Sequence, residues 1–281
     1  MANETEYGNI TQVAAYVSAN VAPHFRSASI MLPLITVQPL QPGSSSFKFN
    51  QKGSLSMSVV AESGEATKSE YTETAVTLAL QKGVVYFEAS HELQRYSDRD
   101  MISELTAEAG LAAGEKFDTD CLALFDGFSS SVGSTGVDLT PAVFKQAAYT
   151  ARLNKVPGGV VAVLHPTQTS DIEDDILASS AVVYGDSAAN QQVLNQQPGQ
   201  MRGTFLGVPI YETTLTESLN TAADWSGAVF NKHAIASIYS PQFTVNIAPD
   251  VSKSTREVAL VMDYQVGEWV DLAGCGIVSD Q

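Results

Sequence analysis

The chain has 281 residues, 44% of them hydrophobic and only 16% charged, enough for a sizeable core in one large domain or two modest ones. Fifteen Lys and Arg stand against 31 Asp and Glu, a formal net charge of −16. That balance excludes tight wrapping of nucleic-acid phosphate, which needs clustered cations, and it keeps a concentrated protein soluble. Cys121 and Cys275 are isolated, without C-x-x-C or His spacing, and read as buried packing residues in a reducing compartment. Residues 1–8 are polar and acidic, so no signal peptide is read there. The longest apolar run, residues 28–40, is cut by Pro33 and Pro39 and is too short to span a membrane.

In chain order, Ile10, Val13, Ala14 and Val17 predict a short amphipathic helix that Pro23 ends. Residues 25–40 read as extended chain with little core of their own. From Ser44 to Leu80 the pattern turns to period two: Phe47 and Phe49, then Leu55, Met57 and Val59, and after a polar tip around Gly64, Val76, Leu78 and Leu80. This predicts a long β-hairpin, rich in Ser, Thr, Gln and Glu, that is barely stable alone and wants a partner.

A β-prone run over 83–90 leads to a long helix starting near Ser97, with Asp98 and Asp100 in its first turn. Ile102, Leu105, Ala109, Ala113, Phe117, Cys121, Leu124 and Phe128 form its apolar stripe. Gly110 and Gly114 each cost about 1 kcal/mol relative to Ala, so packing must hold this helix and the glycines suit close approach of another element.

A Gly/Ser linker over 127–136 precedes a helix opened by Thr140-Pro141. The apolar run 159–164 (GVVAVL) predicts a central buried strand. An acidic helix over 169–178 follows, then a polar loop over 179–202 and short strands at 205–213, 227–230 and 235–239. Residues 243–248 and 256–263 alternate around a polar turn, and a strand-like stretch closes the chain. The class is α+β.

Catalytic patterns are thin. Gly185 to Ala189 approaches a nucleophile elbow around Ser187 but lacks the second glycine. His24, His91, His165 and His233 are scattered, with no i, i+4 metal pair. His91-Glu92 near Asp98 and Asp100, and Asp171, Glu173, Asp174 and Asp175, read as solvated helix faces. No catalytic, cofactor or metal site is expected.

The order of arm, polar hairpin, long helix, compact α/β region and returning β pair resembles the major capsid proteins of tailed bacteriophages, with the Hong Kong 97 phage capsid fold. Val60-Ala61-Glu62, Glu70 and 72–80 are similar to the family's hairpin. KGVVYFEASHEL (82–93) resembles the entry to its spine helix, Val163-Leu164-His165-Pro166 its apolar strand and turn, and Gly203 to Ile210 its G-x-h-x-G-h-P-h strand.

The resemblance implies an N-terminal arm (1–35), an extended loop (36–82), a peripheral domain (83–135 and 241–267) and an axial domain (136–240 and 268–281). It implies a non-enzymatic shell subunit, assembled in the host bacterial cytoplasm into pentamers and hexamers of a virion that encloses double-stranded DNA with weak contact. Portal, scaffolding and decoration proteins would be its partners. With the hairpin starting near residue 44, no room is left for the family's leading scaffolding segment, so a separate scaffolding protein or a processed chain is implied. Subunit contacts are expected at Phe47, Phe49, Leu55, Met57, Val59, Glu62, Glu70, Val76 and Leu78. An encapsulin-like compartment around enzyme cargo is the alternative.

Overall fold

The computed structural model describes residues 21–280 except 22, 26–27, 42, 52, 54, 66, 91, 93–100, 154–155, 179–200, 217, 220–223, 241–242 and 251. The expected first helix, His91, the helix entry at Ser97, Asp98 and Asp100, and Ser187 lie outside the described residues.

Fourteen strands and three helices are described: β1 (Thr36–Pro39), β2 (Ser46–Gln51), β3 (Thr74–Ala79), β4 (Gln81–Ser90), α1 (Met101–Leu122), β5 (Ser131–Gly133), α2 (Pro141–Leu153), β6 (Val160–Leu164), α3 (Pro166–Ala178), β7 (Met201–Phe205), β8 (Val208–Glu212), β9 (Ser218–Leu219), β10 (Asp224–Asn231), β11 (Ile235–Tyr239), β12 (Thr244–Asp250), β13 (Thr255–Glu268) and β14 (Gly274–Asp280). The mixture is α+β, as the periodicities imply. No helix among the described residues is long and apolar enough to cross a membrane.

The first sheet is organised by β13, whose fourteen residues serve three neighbours. Val261 pairs with both Thr244 and Val84, and Tyr264 with both Tyr239 and Gln81. β4 therefore runs along one edge of β13, while β12 and β11 follow one another along the opposite edge. β1 adds to β11 in parallel. The alternating runs at 243–248 and 256–263 form the expected antiparallel pair.

The second sheet has the order β5-β14-β10-β6-β8-β7, with β9 on β10. Its central strands are apolar on both sides because both faces are covered. Val160, Ala162 and Leu164 of β6 pack beneath α2 and α3, while Val161 and Val163 face the cluster containing Phe125 and Phe230. That second cluster also takes in Ile235, Met262 and Val266, so one core joins the two sheets.

Several expectations are corrected. The long helix ends at Leu122 rather than near Phe128, because the chain tightens into a 3-10 turn (Phe125–Gly127) that delivers Phe125 and Phe128 into the core. The Gly/Ser linker contains β5, paired in parallel with β14. The single strand expected at 205–213 is a hairpin: Leu206 (φ 52°) and Gly207 (φ 74°) both take the left-handed conformation of a tight two-residue turn. Met201 and Arg202 belong to β7, not to the preceding loop.

The arm differs most from its expectation. Residues 25–40 are not uniformly extended: the chain is helical about Phe25, turns over 31–34, and only then becomes β1. It lies against α1, where the two glycines leave room for it. A Cβ on Gly110 would stand 3.0 Å from the Val21 carbonyl oxygen, and one on Gly114 2.8 Å from the Ala28 Cβ. Phe25 and Phe117 meet edge to face at 5.8 Å, with Met31 and Ile35 buried alongside. The Asp118 carboxylate, 1% exposed, accepts hydrogen bonds from the Ser29 hydroxyl (2.5 Å) and from the backbone N–H groups of Ile30 (2.7 Å) and Met31 (3.2 Å). Burial pushes this carboxyl up, and those donors work against the shift.

A carboxyl pair marks the passage between the sheets. β13 ends at Glu268, and a 3-10 turn (Asp271–Ala273) leads into β14. Burial, then the neighbouring Asp271 charge, raise Glu268 to about 7. Burial also works to raise Asp271, but the Ser129 hydroxyl and N–H (2.7 Å), both donating to it, hold it below the ordinary carboxylate range.

Asp118→Ala leaves three buried donors without an acceptor and is expected to cost roughly 2–4 kcal/mol in denaturant unfolding, with the arm becoming protease-sensitive. Unchanged stability and protection would contradict the clamp. Glu268, raised in the folded state above its unfolded value near 4.5, binds a proton more tightly when folded, so its contribution declines as pH rises from about 4.5 through about 7. Glu268→Gln is expected to flatten the fall in thermal midpoint between pH 5 and pH 8; an unaltered pH profile would show that Glu268 does not titrate there.

Candidate assembly interface

The hairpin divides into an anchored base and a projecting loop. β2 and β3 pair in antiparallel register, Phe47 opposite Leu78 and Phe49 opposite Val76. Phe49 (5% exposed) and Leu78 (7%) are buried with Leu40, Ala236 and Ile238, and Phe47, Val76, Leu80 and Trp269 pack against them. Phe49 lies 5.4 Å from the Trp269 ring and 4.8 Å from Phe47. The Gln51 amide donates to the Trp269 carbonyl oxygen, and Thr74 donates to Gln51 Oε1 at 2.9 Å. Gly267 makes the seat possible, since a Cβ there would meet Leu78 Cδ2 at 2.5 Å. Four of the nine residues expected at subunit contacts therefore rest on their own chain.

Beyond Gln51 the ladder stops. The strands cover 46–51 and 74–79 only, not the whole of 47–80, and the described residues from 53 to 73 form no strand. The two arms stay adjacent: Ser56 Oγ and Ser69 Oγ are 2.9 Å apart, and the tip turns on the hydrogen bond from Gly64 N–H to the Ala61 carbonyl (2.8 Å). Every described residue from 55 to 73 is exposed. Leu55 is 65%, Met57 95% and Val59 96% exposed, at period-two spacing along one arm, while Glu62 and Glu70 stand in solvent on either side of the tip. Apolar exposure of this kind, carried on a loop with no core, marks a surface completed by another molecule.

Two more features lie on the first sheet. Among the described residues, β4 pairs with β13 alone, and it exposes Val84 and Tyr86. Between α1 and the strands β4 and β13 is a cleft of about 520 Å³, with Ala112, Ala113, Leu260 and Met262 among its walls. At its rim Lys116 pairs with Asp120 (2.5 Å), and the Tyr264 hydroxyl donates to the same carboxylate (2.6 Å).

Several groups that could carry chemistry are held by packing or hydrogen bonds among the described residues. Burial pushes the Cys121 thiol well up and Cys275 to about 11, so neither is a thiolate near neutrality. His165 stacks on Trp225 at 3.8 Å, with its Nδ1 2.7 Å from Thr167 Oγ1, and burial lowers its pKa. His233 stands edge-on to Trp269. Glu173 is clamped by Arg202 through contacts of 3.0–3.2 Å, and Asp171 accepts from the Leu139 N–H. Among the described residues, no group of three or more His, Cys, Asp or Glu is placed to hold a metal ion.

Sequence reasoning missed two supports of this arrangement, Asp118 beneath the arm and Trp269 beneath the hairpin. The only signal for Asp118 was an acid on the buried side of α1, next to Phe117. Trp269 gave none, because its hairpin partners Phe49 and Gln51 lie far from it in the chain.

A search of the curated proteins found no significant match. Among solved structures, the head of Helicobacter pylori bacteriophage KHP40 superposes with a TM-score of 0.70 at 13% identity, covering 90% of this chain and 91% of that one. The capsid of cyanophage P-SCSP1u gives 0.65 at 15% identity, covering 89% and 88%. The SrpI encapsulin of Synechococcus elongatus PCC 7942 gives 0.63 at 13% identity, covering 91% and 89%. These likenesses establish the capsid fold shared by phage heads and encapsulins. The family model described as phage capsid protein matches residues 73–270, more than half of the sequence. The chain belongs to the phage capsid protein family.

Proposed function

We propose that this chain is the major capsid protein of a tailed phage, assembling as pentamers and hexamers into a closed icosahedral head around double-stranded DNA. The carrying observation is the loop over 53–73, which projects Leu55, Met57 and Val59 into solvent from a base fixed on Trp269. A loop without a core gains nothing by exposing three large apolar side chains unless a neighbour covers them. A second copy of the chain is the natural cover, since a shell repeats one surface many times.

The role is non-catalytic and acts through contacts between copies. The −16 charge suits a wall that confines DNA without adhering to it. Scaffolding, portal and decoration proteins join it during assembly in the bacterial cytoplasm. The four-part division into arm, extended loop, peripheral and axial domains belongs to the same reading. β11 then passes from the axial stretch into the sheet built on β13.

The test is to express the full chain, alone and with its neighbouring genes, and image the particles by electron microscopy. Closed shells containing DNA are expected. Shells of uniform size filled with protein cargo would favour the encapsulin-like reading, and a monodisperse monomer under every condition would overturn the shell. The triple substitution Leu55→Ser, Met57→Ser, Val59→Ser is expected to change unfolding stability by less than about 0.5 kcal/mol per site while abolishing particles. Normal particles from that variant would remove the loop from the interface.

A further inference from the structure

α2 and α3 share one face of the second sheet, yet their charges are segregated. α2 reads PAVFKQAAYTARL, with two cations and no acid; α3 reads PTQTSDIEDDILA, with four acids and no cation. Phe144, Ala147, Ala148 and Ala151 bury one side of α2. The opposite stripe, at steps of three and four, carries Lys145, Tyr149, Arg152 and Leu153, all exposed. Tyr149 is 63% and Leu153 58% exposed, large values for a tyrosine and a leucine on a rigid helix. On α3, Glu173 is taken by Arg202 and Asp171 by the Leu139 N–H, whereas Asp174 and Asp175 are exposed. Among the described residues, Lys145, Asp174 and Asp175 make no ion pair.

We propose that the Lys145–Tyr149–Arg152–Leu153 stripe of α2 docks on the acidic face of α3, around Asp174 and Asp175, in the next copy of this chain. It rests on the shell reading and names the contact that would link axial regions within one capsomer. The two patches differ, so the contact is head-to-tail, the type that closes into a ring when the rotation permits. Tyr149 between the two cations and Leu153 beside Arg152 supply apolar burial, and the charges set register and exclude the like-charged approach of α2 on α2 or α3 on α3. Packaged DNA fits the stripe less well. Two cations would meet phosphate, but the exposed Leu153 beside Arg152 would gain nothing, and the chain as a whole repels a polyanion.

A charge swap in the full chain tests the contact. Lys145→Glu and Asp175→Lys are made singly and together, with folding checked by thermal unfolding, and assembled protein is measured by sedimentation. Each single variant is expected to lower the assembled fraction about tenfold at low salt, and the double variant to restore it. If either charge reversal unfolds the chain, Lys145→Gln and Asp175→Asn provide the same comparison with a smaller loss. Assembly unaffected by every variant overturns the docking while leaving the shell intact. Loss in both singles without rescue overturns the pairing. Normal shells that lose packaged DNA assign the stripe to nucleic acid instead. Failure of the unmodified chain to form shells at all sinks the shell reading itself, a result the swap cannot mimic.

Discussion

A carboxylate buried to 1% exposure near the end of a helix is costly unless its hydrogen bonds are supplied, and Asp118 receives them from the arm. The Ser29 hydroxyl and two successive N–H groups are held at a single point. That fixes where the chain leaves α1, where Met31 and Ile35 enter the core, and where β1 meets β11. The β1–β11 pairing in turn forms the floor on which Phe49 and Leu78 are seated. Loosening Asp118 would therefore release the arm, the sheet edge and the hairpin base in sequence.

The chain completes some surfaces and leaves others open. Its two sheets share one apolar cluster, and α2 and α3 close the second sheet from one side. By contrast, the loop beyond Gln51 has hydrogen bonds across its arms but no core, and β4, paired among the described residues with β13 alone, exposes Val84 and Tyr86. The open surfaces belong to rigid supports rather than to loose ends: a hairpin clamped on Trp269 and a strand paired along its whole length with β13. A shell subunit needs this combination, since a contact repeated many times is only as accurate as the element presenting it.

What could be read from the sequence follows from periodicity. The apolar run GVVAVL announced a strand covered on both faces, Thr140-Pro141 announced α2, and the alternation at 243–248 and 256–263 announced the β12–β13 pair. Glycines 110 and 114 correctly signalled a close neighbour on α1, though not that Val21, His24, Phe25 and Ala28 would be that neighbour. The errors arose where tertiary contacts override local pattern. Alternation extends to Val59 on one arm and from Thr72 on the other, but the ladder ends at Gln51 because only the base has Trp269 and Ile238 to rest on. The apolar stripe of α1 runs to Phe128, yet the helix stops at Leu122 because Phe125 and Phe128 reach the core only through a tighter turn. Of the residues expected at subunit contacts, Leu55, Met57, Val59, Glu62 and Glu70 are exposed. Phe49 and Leu78 are buried within the chain and Phe47 and Val76 are half-buried against them, a difference in exposure that period-two spacing does not reveal.

The central claim is that residues 29–40 are held within one copy while the loop is completed only by a neighbour. Backbone hydrogen exchange, measured on unassembled protein and on purified shells, tests it most directly. Amides of residues 29–40 are predicted to be protected in both states, and those of 55–73 to exchange rapidly in the free chain and slowly in the shell. Protection of 55–73 before assembly, or equally rapid exchange after it, would contradict the account.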